Sequence, residues 1–190
     1  LGIAYIASSL LKNTDAEVKV VDTTFFKGFD EVEDIFKQDN FDFVGISLMT
    51  PMIKDAKRVI SLVRKHNPSA KIVLGGPHPT AMPEESLRIG ADAVVMGEGE
   101  FTFSEIVNNG GFKDVKGVWY MEGEQIIRNG PREPIENLDN VPFPARHLFP
   151  VEKYFEYWFM LDSVSFNLKG MNLMTSRGCP YRCSFCQPTL

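Results

Sequence analysis

A chain of 190 residues, 44% hydrophobic and 24% charged, suits one to two soluble globular domains with a real core. Its formal net charge of −5, without basic runs, argues against a nucleic-acid surface. No apolar stretch approaches the roughly 20 residues that span a bilayer, and no signal-peptide pattern is present, so a reducing cytoplasm is expected.

Residues 1–12 carry apolar side chains at 3, 6, 7, 10 and 11, a helical stripe. Glu17–Asp22 (EVKVVD) reads as a short β-branched strand. Asp30 is suited to N-cap the next helix, which turns Val32, Ile35 and Phe36 inward. Phe41–Leu48 (FDFVGISL) reads as a buried strand, and Ile53–Lys65 as a helix with Ala56, Val59, Ile60 and Val63 on one face. Lys71–Leu74 is a strand running into Gly75-Gly76-Pro77-His78-Pro79-Thr80. Pro83-Glu84-Glu85 opens a helix with proline in its first turn. Ala91–Met96 is a further strand ending at Gly97-Glu98-Gly99-Glu100, with Phe101–Val107 as the following helix.

Strands and helices alternating at this spacing predict βαβ units: a parallel sheet, covered on both faces, with right-handed crossovers. Ligands of such sheets bind beyond the carboxyl ends of the strands, here at Ser47–Pro51, Gly75–Thr80 and Gly97–Glu100. Gly75 and Gly76 let a bulky ligand approach the backbone, and Gly97 and Gly99 flank Glu98 at a helix start that attracts anions. The plainer reading of each glycine is a turn. A phospho-receiver domain needs an aspartate and a lysine where this chain has Ser47-Leu48 and Gly75-Gly76, whereas a flavodoxin-type site stays open. In the strand order 2-1-3-4-5 the first strand is central, and it would lie upstream of Leu1. The strands at 43–47, 71–74 and 93–95 are therefore expected to pair in parallel, with 18–22 displaced or leaving a gap.

Beyond residue 109 the character changes. Gly117–Met121 and Gln125–Arg128 flank Glu122-Gly123-Glu124, a hairpin pattern, and Pro131, Pro134, Pro142, Pro144 and Pro150 then mark a semi-rigid connector. Residues 151–170 are rich in aromatics with weak periodicity and read as packing for a following domain. Met171–Ser176 reads as a strand leading into the cysteine loop. Leu1 begins on a helix and the chain stops four residues past Cys186, so the sequence reads as an internal piece of a longer protein.

All three cysteines fall in Cys179-Pro180-Tyr181-Arg182-Cys183-Ser184-Phe185-Cys186, spaced C-x3-C-x2-C. A structural zinc site wants four ligands, and the histidines at 66, 78 and 147 are not spaced to supply one. Three thiols pair badly as disulfides, and a thioredoxin-type pair leaves Cys179 unexplained. Three thiolates do suit an iron–sulfur cubane with one iron free to bind substrate or cofactor.

Cys179-x3-Cys183-x-Phe185-Cys186 resembles the motif of the radical S-adenosylmethionine enzymes. The resemblance implies that Cys179, Cys183 and Cys186 hold a [4Fe–4S] cluster that chelates S-adenosylmethionine and cleaves it reductively to a 5'-deoxyadenosyl radical. Phe185 would shield the cluster or simply pack the loop. Residues 1–108 resemble the cobalamin-binding domain that precedes the radical domain in one branch of that family, through Leu1–Tyr5, Val44–Ser47, Gly75–Thr80 and Val95–Glu100. This implies a flavodoxin-like, Rossmann-type domain over 1–110, a hairpin and proline-rich linker over 111–150, and the first strand of a partial (β/α) barrel within 151–190. It also implies cobalamin contacts at Ser47, Thr50, Gly75, Gly76, His78, Thr80, Gly97 and Glu98, although His78 also reads as a surface-loop residue. The implied reaction is methyl transfer to an unactivated carbon, with ring formation on a tetrapyrrole-like substrate or a merely supporting cobalamin as alternatives. A small-molecule substrate and an electron donor such as flavodoxin or ferredoxin are the implied partners, and residues 1–190 alone are expected to be inactive.

Overall fold

The structure, a computed structural model, describes residues 1–162, 169–179, 181, 183, 184 and 186. Five strands form one sheet in the order β1 (Phe43–Ser47), β2 (Lys71–Gly75), β3 (Ala93–Val95), β4 (Val118–Glu122) and β5 (Gln125–Arg128). As expected, β1, β2 and β3 run parallel, with Ser47 beside Gly75 and Leu74 beside Val94. Helices α1 (Gly2–Asn13), α2 (Phe29–Gln38) and α3 (Ile53–His66) belong to the parallel half. So do α4 (Pro77–Ala81), α5 (Pro83–Arg88) and α6 (Glu100–Asn109), and α7 (Val151–Asp162) follows the connector.

Strand alternation divides the core between two faces. Ile72, Leu74 and Val94 pack with Ala56, Ile60 and Val63 of α3 and with Val32 and Phe36 of α2. Their neighbours Val73, Ala93 and Val95 pack against Leu10 of α1 and Phe103 and Ile106 of α6. Burying a side chain such as Leu74, which is wholly inaccessible, is worth roughly 1.5–3 kcal/mol. Asp92 pins the amino end of the sheet, accepting from the Ile72 amide at 2.6 Å and from Arg64 at 2.8 Å.

Four local expectations change. No strand forms at Glu17–Asp22, which leaves the gap expected at 18–22: β-branched residues suffice for a strand only with a ladder partner, and Val18 instead packs on the second core face. The hairpin does not stay in the connector. It adds to β3 in antiparallel fashion, with Val94 beside Trp119, so that its alternate residues extend both core faces. The new edge is protected by charge, since Arg128 of β5 lies 4.8 Å over the Trp119 ring. Asp30 sits inside the first turn of α2 and Gly28 takes the cap position, so the aspartate acts on the helix dipole instead. Among the described residues, 169–179 hold no strand where Met171–Ser176 was expected.

The first part of the aromatic segment, Val151–Asp162, is helical. Tyr154 of α7 donates to Asp22 at 2.6 Å and meets Phe25 edge-on at 4.9 Å, so this helix packs back on the preceding segment. Among the described residues no helix is long and apolar enough to cross a membrane.

One pH effect arises here. Hydrogen bonds from Lys65 and His66 of α3 hold the Glu33 carboxyl of α2 down at about 2, against an ordinary 4.5. A depressed carboxyl stabilises the fold above its unfolded pKa and loses that contribution as pH falls through the folded one. Glu33→Gln should therefore flatten the fall of melting temperature between pH 4.5 and about 2, measured by circular dichroism.

Candidate cofactor site at the carboxyl edge of the sheet

Three loops leave the carboxyl ends of β1, β2 and β3, and short hydrogen bonds join them. The Leu48 amide donates to Gly75 O at 2.8 Å and the His78 amide to Leu48 O at 3.1 Å. Thr80 Oγ1 donates to Gly76 O at 2.9 Å and accepts from the Gly97 amide at 3.0 Å. Thr80 thus ties the second loop to the third, a structural role beside any ligand contact.

Gly76 has φ 97°, a conformation side chains rarely adopt. A Cβ there would meet Ser47 Oγ at 3.2 Å and both backbone polar atoms of Leu48 at 3.3 Å. Its glycine is required by the approach of the first two loops to each other. Gly75 differs: the nearest atom to a Cβ would be Val95 O at 4.0 Å. Gly97 also has positive φ, 71°.

His78 is not on a surface loop. Pro77 fixes the first turn of α4, and His78 within it is 4% exposed. Its Nδ1 lies 3.1 Å from Thr50 Oγ1, while its buried Nε2 has no hydrogen-bond partner and stands 4.0 Å from Glu85. Ser47 and Thr50 are exposed, as are Met49, Met52 and Met82, which composition and spacing gave no reason to select. Together with the open face of Gly75, they make a shelf of small, soft and polar groups that fits a broad, largely apolar macrocycle.

Glu98 is differently engaged. Oε2 accepts from the Ile135 amide at 2.6 Å and Oε1 from Arg177 at 2.7 Å. Arg177 also reaches Glu100 at 2.6 Å. Burial works against the Arg177 cation, but the hydrogen bonds to Glu100 and Glu98 outweigh it and raise its pKa above the ordinary value. Neither Arg177 nor Glu100 was legible as a site residue.

Cys179, Cys183 and Cys186 are exposed free thiols, and the Cys186 amide donates to Cys183 O at 3.1 Å in a turn. Among the described residues no three His, Cys, Asp or Glu side chains converge as a metal site. Thiolates are the donor set that an iron–sulfur cluster takes, and among the described residues they are not drawn together into a cage. Phe185, expected to shield the cluster, lies outside the described residues.

Comparison with known proteins gives the family. Residues 1–107 match the family model described as the B12 binding domain. An uncharacterized methyltransferase of Pyrococcus horikoshii is 36% identical over 100% of this chain and 40% of its own length. The anaerobic magnesium-protoporphyrin IX monomethyl ester cyclase of Rubrivivax gelatinosus is 31% identical, over 97% of this chain and 34% of its own length. This chain therefore spans less than half the length of these curated relatives. Among solved structures, the apo cobalamin-dependent S-adenosylmethionine radical enzyme OxsB has a TM-score of 0.72 at 23% identity, covering 97% of this chain and 25% of that one. The radical S-adenosylmethionine methyltransferase TsrM from Kitasatospora setae, with cobalamin and a [4Fe–4S] cluster bound, has a TM-score of 0.58 at 19% identity, covering 67% of this chain and 27% of that one.

Proposed function

Because the chain belongs to the B12-binding domain family, we propose that it forms the cofactor-binding part of a cobalamin-dependent radical S-adenosylmethionine enzyme, and that methyl transfer to an unactivated carbon is its reaction. Residues 1–110 make the cobalamin domain, 111–150 the connector with its hairpin added to the sheet, and 151–190 the entry to the radical domain.

The observation that carries this reading is the presence of two unlike sites in one short chain: an open glycine-bearing sheet edge and a loop of three free thiols. Ser47, Thr50 and Gly75 would seat the macrocycle, with Met49 and Met52 supplying soft apolar contact. His78 and Thr80 support this shelf from behind, and Gly97 holds the third loop back through Thr80. Cys179, Cys183 and Cys186 would hold the cluster. When bound, the cluster supplies the electron that cleaves S-adenosylmethionine and cobalamin carries the methyl group, which is why the chain's own task is placement and exclusion of water. A small-molecule substrate, an electron donor such as flavodoxin or ferredoxin, and a cytoplasmic setting go with this reading.

The cyclase of Rubrivivax gelatinosus supports a second reading, ring formation on a tetrapyrrole-like substrate. Labelled methyl groups distinguish them. In the full-length protein, label should pass from S-adenosylmethionine to the product and stop when cobalamin is omitted. A cyclised, unlabelled product would favour the second reading, and label transfer indifferent to cobalamin would reduce the domain to a supporting role.

A further inference from the structure

Residues 169–179 have no helix or strand of their own, so side-chain ties decide where they lie. Arg177 supplies one such tie. Its side chain is 17% exposed; Nη1 donates to Glu98 at 2.7 Å and Nη2 to Glu100 at 2.6 Å. Those side chains are 11% and 6% exposed and stand two residues apart after β3. Two carboxylates with so little water repel each other and need a shared counter-charge. Among the described residues, Arg177 is the cation paired with both. A guanidinium fork reaches two acceptors in fixed geometry, which a lysine ammonium does not. The same group lies 5.2 Å over the Tyr5 ring of α1.

A second tie is independent of the first. Arg146 donates to Asn172 O at 2.7 Å, and the adjoining Ala145 amide donates to Ala4 O of α1 at 2.9 Å. The segment entering the cysteine loop is thus fastened at 172 and at 177 to the body that carries the sheet edge.

We propose that Arg177 is a positioning residue: by bridging Glu98 and Glu100 it ties the segment that leads into Cys179 to the carboxyl edge of the sheet, and so sets the distance between the thiols and that edge. This rests on the two-cofactor reading above for its consequence, but the latch itself does not. Glu98 then belongs to the joint between the two sites, with both its oxygens engaged there.

Hydrogen exchange on the full-length protein, freed of iron and cobalamin, tests the latch alone. In Arg177→Leu the amides of 172–178 should exchange about tenfold faster or more, while those of Ile72–Leu74 keep their protection as a fold control. Arg177→Lys, keeping the charge without the fork, should fall between, and it replaces the leucine variant if that one does not fold. With the cluster, cobalamin and S-adenosylmethionine restored, methylated product per 5'-deoxyadenosine should drop about tenfold in Arg177→Leu and recover in part in Arg177→Lys. Unchanged exchange at 172–178 would overturn the latch. Faster exchange with an unchanged product ratio would overturn the positioning role. If the wild-type protein makes no methylated product, the reaction assignment fails, and faster exchange at 172–178 still supports the latch.

Discussion

Alanine at any one of Cys179, Cys183 or Cys186 should abolish reductive cleavage of S-adenosylmethionine by the anaerobically reconstituted full-length protein. A cubane held by three thiolates has no spare protein ligand, so losing one leaves two anchors and two exposed irons. The loop itself, CPYRCSFC, holds no histidine or carboxylate to stand in. The three substitutions should therefore be equally severe, lowering bound iron and bringing 5'-deoxyadenosine to background. A redox pair at Cys183 and Cys186 predicts otherwise, since Cys179→Ala would then keep activity. Retained cleavage in that variant would sink the radical assignment. Cobalamin binding, which uses none of the three thiols, should change by less than about twofold in all three.

The parallel half of the sheet was legible because its signals are local. Short continuous apolar runs at 72–74 and 93–95 and a helical stripe at 53–66 each declare their own element. What escaped depends on partners far away in sequence. The run EVKVVD looks like a strand in composition, yet a strand exists only where another accepts its hydrogen bonds. The hairpin was recognisable, but nothing local says that Val94 awaits Trp119. Arg177 meets its carboxylates across 79 and 77 residues, a pairing without a sequence pattern. In sequence His78 reads equally as a ligand contact and as a surface-loop residue, and only the helix that Pro77 begins buries it. Of the candidate site, the three loops were correctly placed together. The division of labour within them was not visible, because Gly75 and Gly76 look identical until the backbone angle and the neighbouring loop are known.

That distinction yields the second large effect. Gly76→Val should fail by unfolding rather than by losing its ligand. The positive φ costs roughly 1–3 kcal/mol for a side chain. The new Cβ, 3.3 Å or less from Ser47 and Leu48, adds overpacking of about 1–3 kcal/mol. Against a domain stability of about 5–15 kcal/mol, the sum is enough to lower the melting temperature by ten degrees or more by order of magnitude. Gly75→Val meets nothing closer than 4.0 Å at its Cβ, and Ser47 is already exposed, so Gly75→Val and Ser47→Leu should keep the native circular dichroism spectrum. Both place new bulk on the shelf itself. Their cobalamin affinity should fall by about tenfold or more, since a clash at a rigid cofactor face is poorly relieved. Cleavage of S-adenosylmethionine at the Cys179–Cys186 loop should persist in these two variants while methyl transfer falls with cobalamin. Unchanged cobalamin affinity in folded Gly75→Val and Ser47→Leu would move the cofactor off this edge and leave its glycines with a purely structural task.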